Sequence, residues 1–154
     1  MVSLLVLSFL QSPAATASHD LDFWVGNWDV YVGKDLAGTD NVTVSQRGFS
    51  VHEYWKSSEG STGESLFYYL PAQRRWKQVW VTEAGVYKEK LSEPLKNGVR
   101  FTGTVYLPNS RTVQDRTTLT KLPKGEVRQL IEWTKDGKTW TVSFDAVYRP
   151  VRGH

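Results

Sequence analysis

The sequence predicts an all-β fold, an antiparallel up-and-down β-barrel of about ten strands. Short runs alternate apolar and polar residues, and Gly, Pro and Asn break them at intervals of about 8 to 12 residues, the spacing of barrels and sandwiches. No window sustains the 3.6-residue apolar period of an amphipathic helix, which confines helix to a turn or two near the start. Nearly every connection is short enough to be a hairpin, and a meander of this length loses its exposed edges by closing on itself. A two-sheet sandwich is the structural alternative.

Residues 2–10, VSLLVLSFL, form an apolar run too short to cross a bilayer as a helix, and small residues ending Ala15-Thr16-Ala17 follow it. This is the pattern of an export leader, although no Lys or Arg precedes the apolar run as such leaders require. The expectation is a signal peptide over residues 1–17 and one barrel domain over 18–154, exported to the periplasm or secreted. No later segment is apolar for long enough to span a membrane.

Strands are expected at 23–32, 40–46, 49–56, 63–70, 75–82, 86–91, 99–107 and 112–121, with breaks at Gly33-Lys34-Asp35, Pro71, Gly85, Pro94, Asn97-Gly98 and Pro108. Residues 126–149 read as a hairpin about Asp136-Gly137, a dipeptide suited to a two-residue type I′ loop. Counting outward pairs Trp133 with Trp140, Ile131 with Val142, Gln129 with Phe144 and Val127 with Ala146 on one face, expected inside. Arg128 and Asp145 pair on the other. A similar two-residue turn at Lys124-Gly125 sets Arg116 opposite Trp133 and points it inward; a three-residue turn flips that strand and leaves Arg116 in solvent. Around the four-residue turn before Arg75, Tyr69 meets Trp76, Phe67 meets Gln78 and Ser65 meets Trp80.

Composition narrows the function. The net charge of +3 is mild and the Lys and Arg residues are scattered, which argues against a nucleic-acid partner. Without cysteine there is no disulfide, thiolate metal site or thiol nucleophile. No His, Asp and Glu grouping has zinc-site spacing, so no metal is expected, nor any cofactor. No serine has a neighbouring His, and neither a G-x-S-x-G elbow nor a P-loop occurs. Seven Trp residues imply an aromatic core, a lined pocket, or both.

Phe23-Trp24-Val25-Gly26-Asn27-Trp28-Asp29-Val30 resembles the FWxGxWxV opening of a family of exported, largely uncharacterised bacterial proteins with lipocalin-like (calycin) barrels. The likeness continues at Gly63-Glu64-Ser65, Tyr68-Tyr69, residues 76–81, Arg116, Val127-Arg128-Gln129, Glu132, Asp136-Gly137, Thr139-Trp140, Phe144-Asp145 and Tyr148-Arg149. Gly26-Asn27-Trp28 is also similar to the first-strand signature of lipocalins proper. That resemblance implies a Trp closing one barrel end under a late Arg, here Arg149 or, second, Arg128. Arg74 stands where the family usually has Gly, and Leu70 where Asp is common.

The expected ligand-binding residues are Glu53, Tyr69, Gln78, Trp80, Arg116, Gln129 and Trp133. An inward Arg116 needs an acid or an anionic ligand, and Glu53 is the acid paired with it. Gln78 and Gln129 are isolated amides on aromatic faces, the sparse polar groups with which a pocket orients a ligand; amides bonded to each other or to buried water are the plain alternative. The function expected is non-catalytic binding of a small apolar or amphipathic molecule. The alternative is an isomerase or cyclase with Glu53 as general base and Arg116 steadying negative charge. A nitrobindin-like haem role for His52 is disfavoured because His52 faces away from Glu53. A ligand-free interaction module would gather Tyr54, Tyr68 and Tyr87 outside.

Overall fold

The computed structural model describes residues 16–151, so the expected leader lies almost wholly outside the described residues. A 3-10 turn, Asp22–Trp24, leads into β1 (Gly26–Val32), β2 (Asp35–Ser45), β3 (Ser50–Ser57), β4 (Thr62–Leu70), β5 (Arg75–Thr82), β6 (Tyr87–Leu95), β7 (Gly98–Tyr106), β8 (Thr112–Lys121), β9 (Val127–Thr134) and β10 (Thr141–Pro150). Each strand pairs antiparallel with the next, and β10 returns to β1 through Trp28↔Pro150 to Tyr31↔Val147, closing the barrel. Closure gives every strand two ladder partners and removes the edges along which an open sheet aggregates.

Alternation decides what fills the barrel. Even positions of β1 and β2 (Trp28, Val30, Val42), odd positions of β3 and β4 (Val51, Phe67) and even positions of β5 (Trp76) are buried. The initial 3-10 turn supplies a plug: Trp24 lies edge-on to Phe67 at 5.5 Å and to Tyr148 at 6.2 Å, and Phe67 meets Phe101 at 5.2 Å. Trp28 donates its indole N–H to the Trp24 carbonyl (2.9 Å), which ties the plug to β1. Neither Arg149 nor Arg128, the arginines implied by the lipocalin likeness, closes this end. Arg149 sits over Tyr31 and faces Glu126, and Arg128 forks onto Asp145, all on the outer surface.

The hairpin between β4 and β5 has the expected register, with Tyr69↔Trp76, Phe67↔Gln78 and Ser65↔Trp80. Arg74 closes that turn at φ 51°, the left-handed region that the usual glycine would occupy without strain. Strand β6 continues through Pro94 where a break was expected, because β5 stops pairing at Leu91 and the missing Pro94 N–H has no ladder to leave incomplete.

Two registers differ from expectation. At Asp136-Gly137 only the glycine has positive φ (71°), whereas a type I′ turn needs it at both residues. The Asp136 carboxylate instead accepts the backbone N–H groups of Lys138 and Thr139, each at 2.8 Å, and holds a longer loop. Trp133 therefore pairs with Thr141, and a bulge between Val142 and Phe144 then sets Ile131 opposite Phe144, Gln129 opposite Ala146 and Val127 opposite Tyr148. The bulge keeps Phe144 and Ala146 inside but leaves Val142 exposed and Trp140 outside the barrel, against Arg116. Between β8 and β9, Pro123 cannot donate to a ladder, so the loop takes three residues and Leu122 N–H bonds the Glu126 carbonyl (2.9 Å). This shifts β8 by one: Asp115 is opposite Trp133, and Arg116 is opposite Glu132 on the outer face.

Candidate functional site

Past the aromatic plug the barrel interior opens into a cavity of about 210 Å³. Its apolar wall comes from Trp55 of β3, Trp80 of β5, Ile131 of β9 and Phe144 of β10, with Trp55 and Phe144 edge-on at 6.2 Å. Its polar wall comes from Glu53, Gln78, Lys88, Lys90, Thr117, Gln129 and Tyr148. Each strand delivers its residues through period-two alternation, and the antiparallel registers bring them level: Glu53↔Ser65, Ser65↔Trp80 and Trp80↔Lys88 form one row.

Three hydrogen-bonded groups line this space. In the first, the Ser65 hydroxyl donates to the Glu53 carboxylate and accepts Gln78 Nε2–H at 3.1 Å. With the single Ser65 proton directed to Glu53, the Gln78 amide turns its N–H₂ toward Ser65, and its carbonyl Oε1 is buried without a partner among the described residues. In the second, the Tyr148 hydroxyl donates to Gln129 Oε1 at 3.0 Å. In the third, Asp115 receives both lysines of β6, Lys88 at 3.0 Å on Oδ2 and Lys90 on Oδ1, and Lys90 also donates to Thr117 Oγ1 at 2.7 Å.

Burial controls the charge of these groups. The Asp40 carboxyl faces Glu53 and Tyr148 without a well-formed hydrogen bond to either; burial first, then the neighbouring Glu53 charge, push it up to about 10. Glu53 is raised by its own burial, against the opposing pull of Ser65, Asp40, Lys88 and Lys90. Lys90 is lowered to about 8, mainly by burial and then by Lys88, with Asp115 working the other way. Burial also raises the Tyr148 phenol. Two adjacent buried carboxyls that resist joint ionisation and two lysines sharing one aspartate give a cavity with strongly structured polarity.

Of the residues expected to bind a ligand, Glu53, Gln78, Trp80 and Gln129 come together in the cavity wall. Tyr69 packs on Trp76 at 5.4 Å, and Trp133 lies under Lys135; neither lines the cavity. Arg116, expected inside, lies on the outer face. It forks onto Glu132 on the outside (2.6 and 2.9 Å), with Trp140 stacked over its guanidinium at 4.1 Å, so it is not the partner of Glu53. Arg116→Ala is therefore expected to cost about 1 kcal/mol of stability, the scale of a forked but solvent-screened pair, and to leave any ligand affinity unchanged; urea unfolding and titration check both. His52 is exposed on the outer face, opposite Thr43 and Leu66, and does not reach the cavity. Tyr54, Tyr68 and Tyr87 are not gathered: Tyr87 stacks on Tyr106 at 4.5 Å, and Tyr68 lies in register with Ser50 and Lys77.

Asp40, Lys88, Lys90, Asp115, Thr117 and Tyr148 were not expected at the site. Lys88 and Lys90 had a legible signal. Counting outward from the Gly85 turn sets Val81 opposite Tyr87 and hence Trp80 opposite Lys88, but strand β6 carries charge on both faces and hides which one is inside.

No family model matches the chain, and no curated protein is significantly similar to it. The fold and the cavity therefore carry the functional argument. Architecture is settled at the level of a closed, ten-stranded, antiparallel barrel consistent with a lipocalin-like fold.

Proposed function

We propose that this chain is an exported, non-catalytic binding protein of the FWxGxWxV group of lipocalin-like barrels, holding one small, partly apolar molecule inside the barrel. The observation that carries the reading is the buried Gln78 carbonyl, which has no partner among the described residues and lies in the wall of a cavity with an aromatic side. Leaving such an acceptor unmet costs about 1–3 kcal/mol, and a ligand donor or a bound water removes that cost. The enclosing aromatic wall supports a ligand over water alone, since a few fixed polar groups in an apolar lining are how pockets orient small molecules. Glu53 and Arg116 lie on opposite faces of the sheet, which argues against an isomerase or cyclase built on that pair.

Tryptophan fluorescence titration against lipids, isoprenoids and aromatic acids tests the binding reading, since Trp55 and Trp80 line the cavity. A saturable change is expected in one class, and Ile131→Trp, which fills the space, is expected to abolish it. The absence of a saturable response in every class would overturn the reading. Export is tested by N-terminal sequencing of the mature protein, with Ser18 or His19 as the expected first residue.

A further inference from the structure

Lys88 and Lys90 stand two residues apart on β6 and both point into the barrel, with side-chain exposures of 15% and 0%. Among the described residues Asp115 is the one carboxylate in contact with them, and it serves both. The other acids at the cavity, Asp40 on β2 and Glu53 on β3, face each other, and their repulsion and burial oppose ionisation of both together. The remaining titratable group facing them is the Tyr148 phenol on β10. Two buried ammonium groups thus share one contacting counter-charge, with Glu53 acting on them only from beyond ion-pair distance, an arrangement that favours a further anion placed directly against them. Lys88 is the less enclosed of the two; its ammonium lies 4.8 Å from the Trp80 ring centroid, on the cavity wall between the charged and aromatic sides.

The space itself limits what that anion is attached to. At about 210 Å³ the cavity falls below the roughly 300–1,000 Å³ of pockets that hold drug-sized ligands, so one or two rings fit and a long lipid chain does not. Trp55, Trp80 and Phe144 offer flat apolar surfaces, and Gln78 Oε1 offers an acceptor to a ligand hydroxyl. We infer that the molecule held in the cavity is a small aromatic or similarly flat monocarboxylic acid, its carboxylate against Lys88 and Lys90 and its ring among Trp55, Trp80 and Phe144. This rests on the reading of the cavity as a binding site.

The test is a set of matched pairs titrated into the full-length protein at pH 7 by fluorescence and calorimetry: benzoate, cinnamate and 2-naphthoate, each beside its primary amide. At least one acid is expected to saturate with a Kd about tenfold or more below that of its amide. In Lys88→Met the gap between acid and amide closes, and in Lys88→Arg, which keeps the charge, it persists. Equal affinity for acid and amide, or no saturation by any of these probes in a protein that does bind a lipid or isoprenoid, would overturn the acid assignment while leaving the cavity as a binding site; no saturation by any probe of any class would overturn both. An acid preference that survives in both Lys88→Met and Lys90→Met would overturn the placement of the carboxylate. Should the Met variants fail to fold, the acid-to-amide comparison in the native protein still decides the ligand class.

Discussion

Asp115→Ala is expected to cost about 3–5 kcal/mol of unfolding free energy, the scale of breaking a buried ion pair by removing one partner. Asp115 is 3% exposed and is the shared counter-charge of Lys88 and Lys90. Its loss leaves the fully enclosed Lys90 ammonium with Thr117 as its remaining hydrogen-bond partner. Most of the penalty is then desolvation of an unpaired cation rather than loss of a favourable contact. Adding Lys90→Met to Asp115→Ala should therefore recover most of the stability, because a flexible apolar side chain of similar length needs no counter-charge. Lys88 keeps partial access to water and tolerates the change. Urea unfolding of the two single variants and the double variant closes the cycle. A single variant within 1 kcal/mol of the native protein, or a double variant no better than the worse single one, would show that the buried charge cluster does not form.

The second large effect is a stability that falls as pH rises across the neutral range. Asp40 is pushed up to about 10 from the ordinary 3.8, and Glu53 is raised above its ordinary 4.5, so above those ordinary values the folded state binds more protons than the unfolded chain. Stability from a raised carboxyl is fully present below its unfolded value and is lost as pH climbs toward its folded value, with a slope of up to about 1.4 kcal/mol per pH unit for each proton. Lys90 has the opposite sign: lowered to about 8 from 10.5, it makes the unfolded state the better proton binder between those values and offsets part of the loss there. Below about pH 4 the carboxylates held down by their partners, Asp145 by Arg128 and Glu132 by Arg116, protonate and stability falls again. The expected profile thus peaks near pH 4 and declines through pH 5 to 8, whereas Asp40→Asn should flatten the decline and raise stability at pH 7 by about 1–3 kcal/mol. Unfolding free energies that are constant or rise from pH 5 to 8 would contradict the buried carboxyl pair.

The architecture was legible because it rests on signals that survive local error. Alternation, turn residues at regular spacing and short connections each point to a closed meander, and a slip at one turn does not change that answer. Registers were legible only where a turn forced them. The Leu70↔Arg75 closure follows from its four-residue turn, and everything on β4 and β5 counts correctly from it. At Asp136 the side chain captured two backbone N–H groups, and at Pro123 a missing donor lengthened the loop; neither effect is visible in an apolar pattern. One residue of slip exchanged Asp115 for Arg116 inside the barrel. The expected pairing of an inward Arg116 with Glu53 does not form, and the cations inside the barrel are Lys88 and Lys90. Their strand offered no apolar face to reveal its orientation, and the Asp40 to Glu53 contact depends on barrel closure, a property of the whole chain.

A crystal structure of the native protein, at a resolution that shows ordered water, tests the central claim most directly when read at Gln78 Oε1 and Lys88 Nζ. The account predicts density from a bound molecule or ordered water reaching both atoms, with Glu53, Lys88 and Lys90 inside and Arg116 outside on Glu132. A barrel interior closed by side chains, or Arg116 pointing inward beside Glu53, would contradict it.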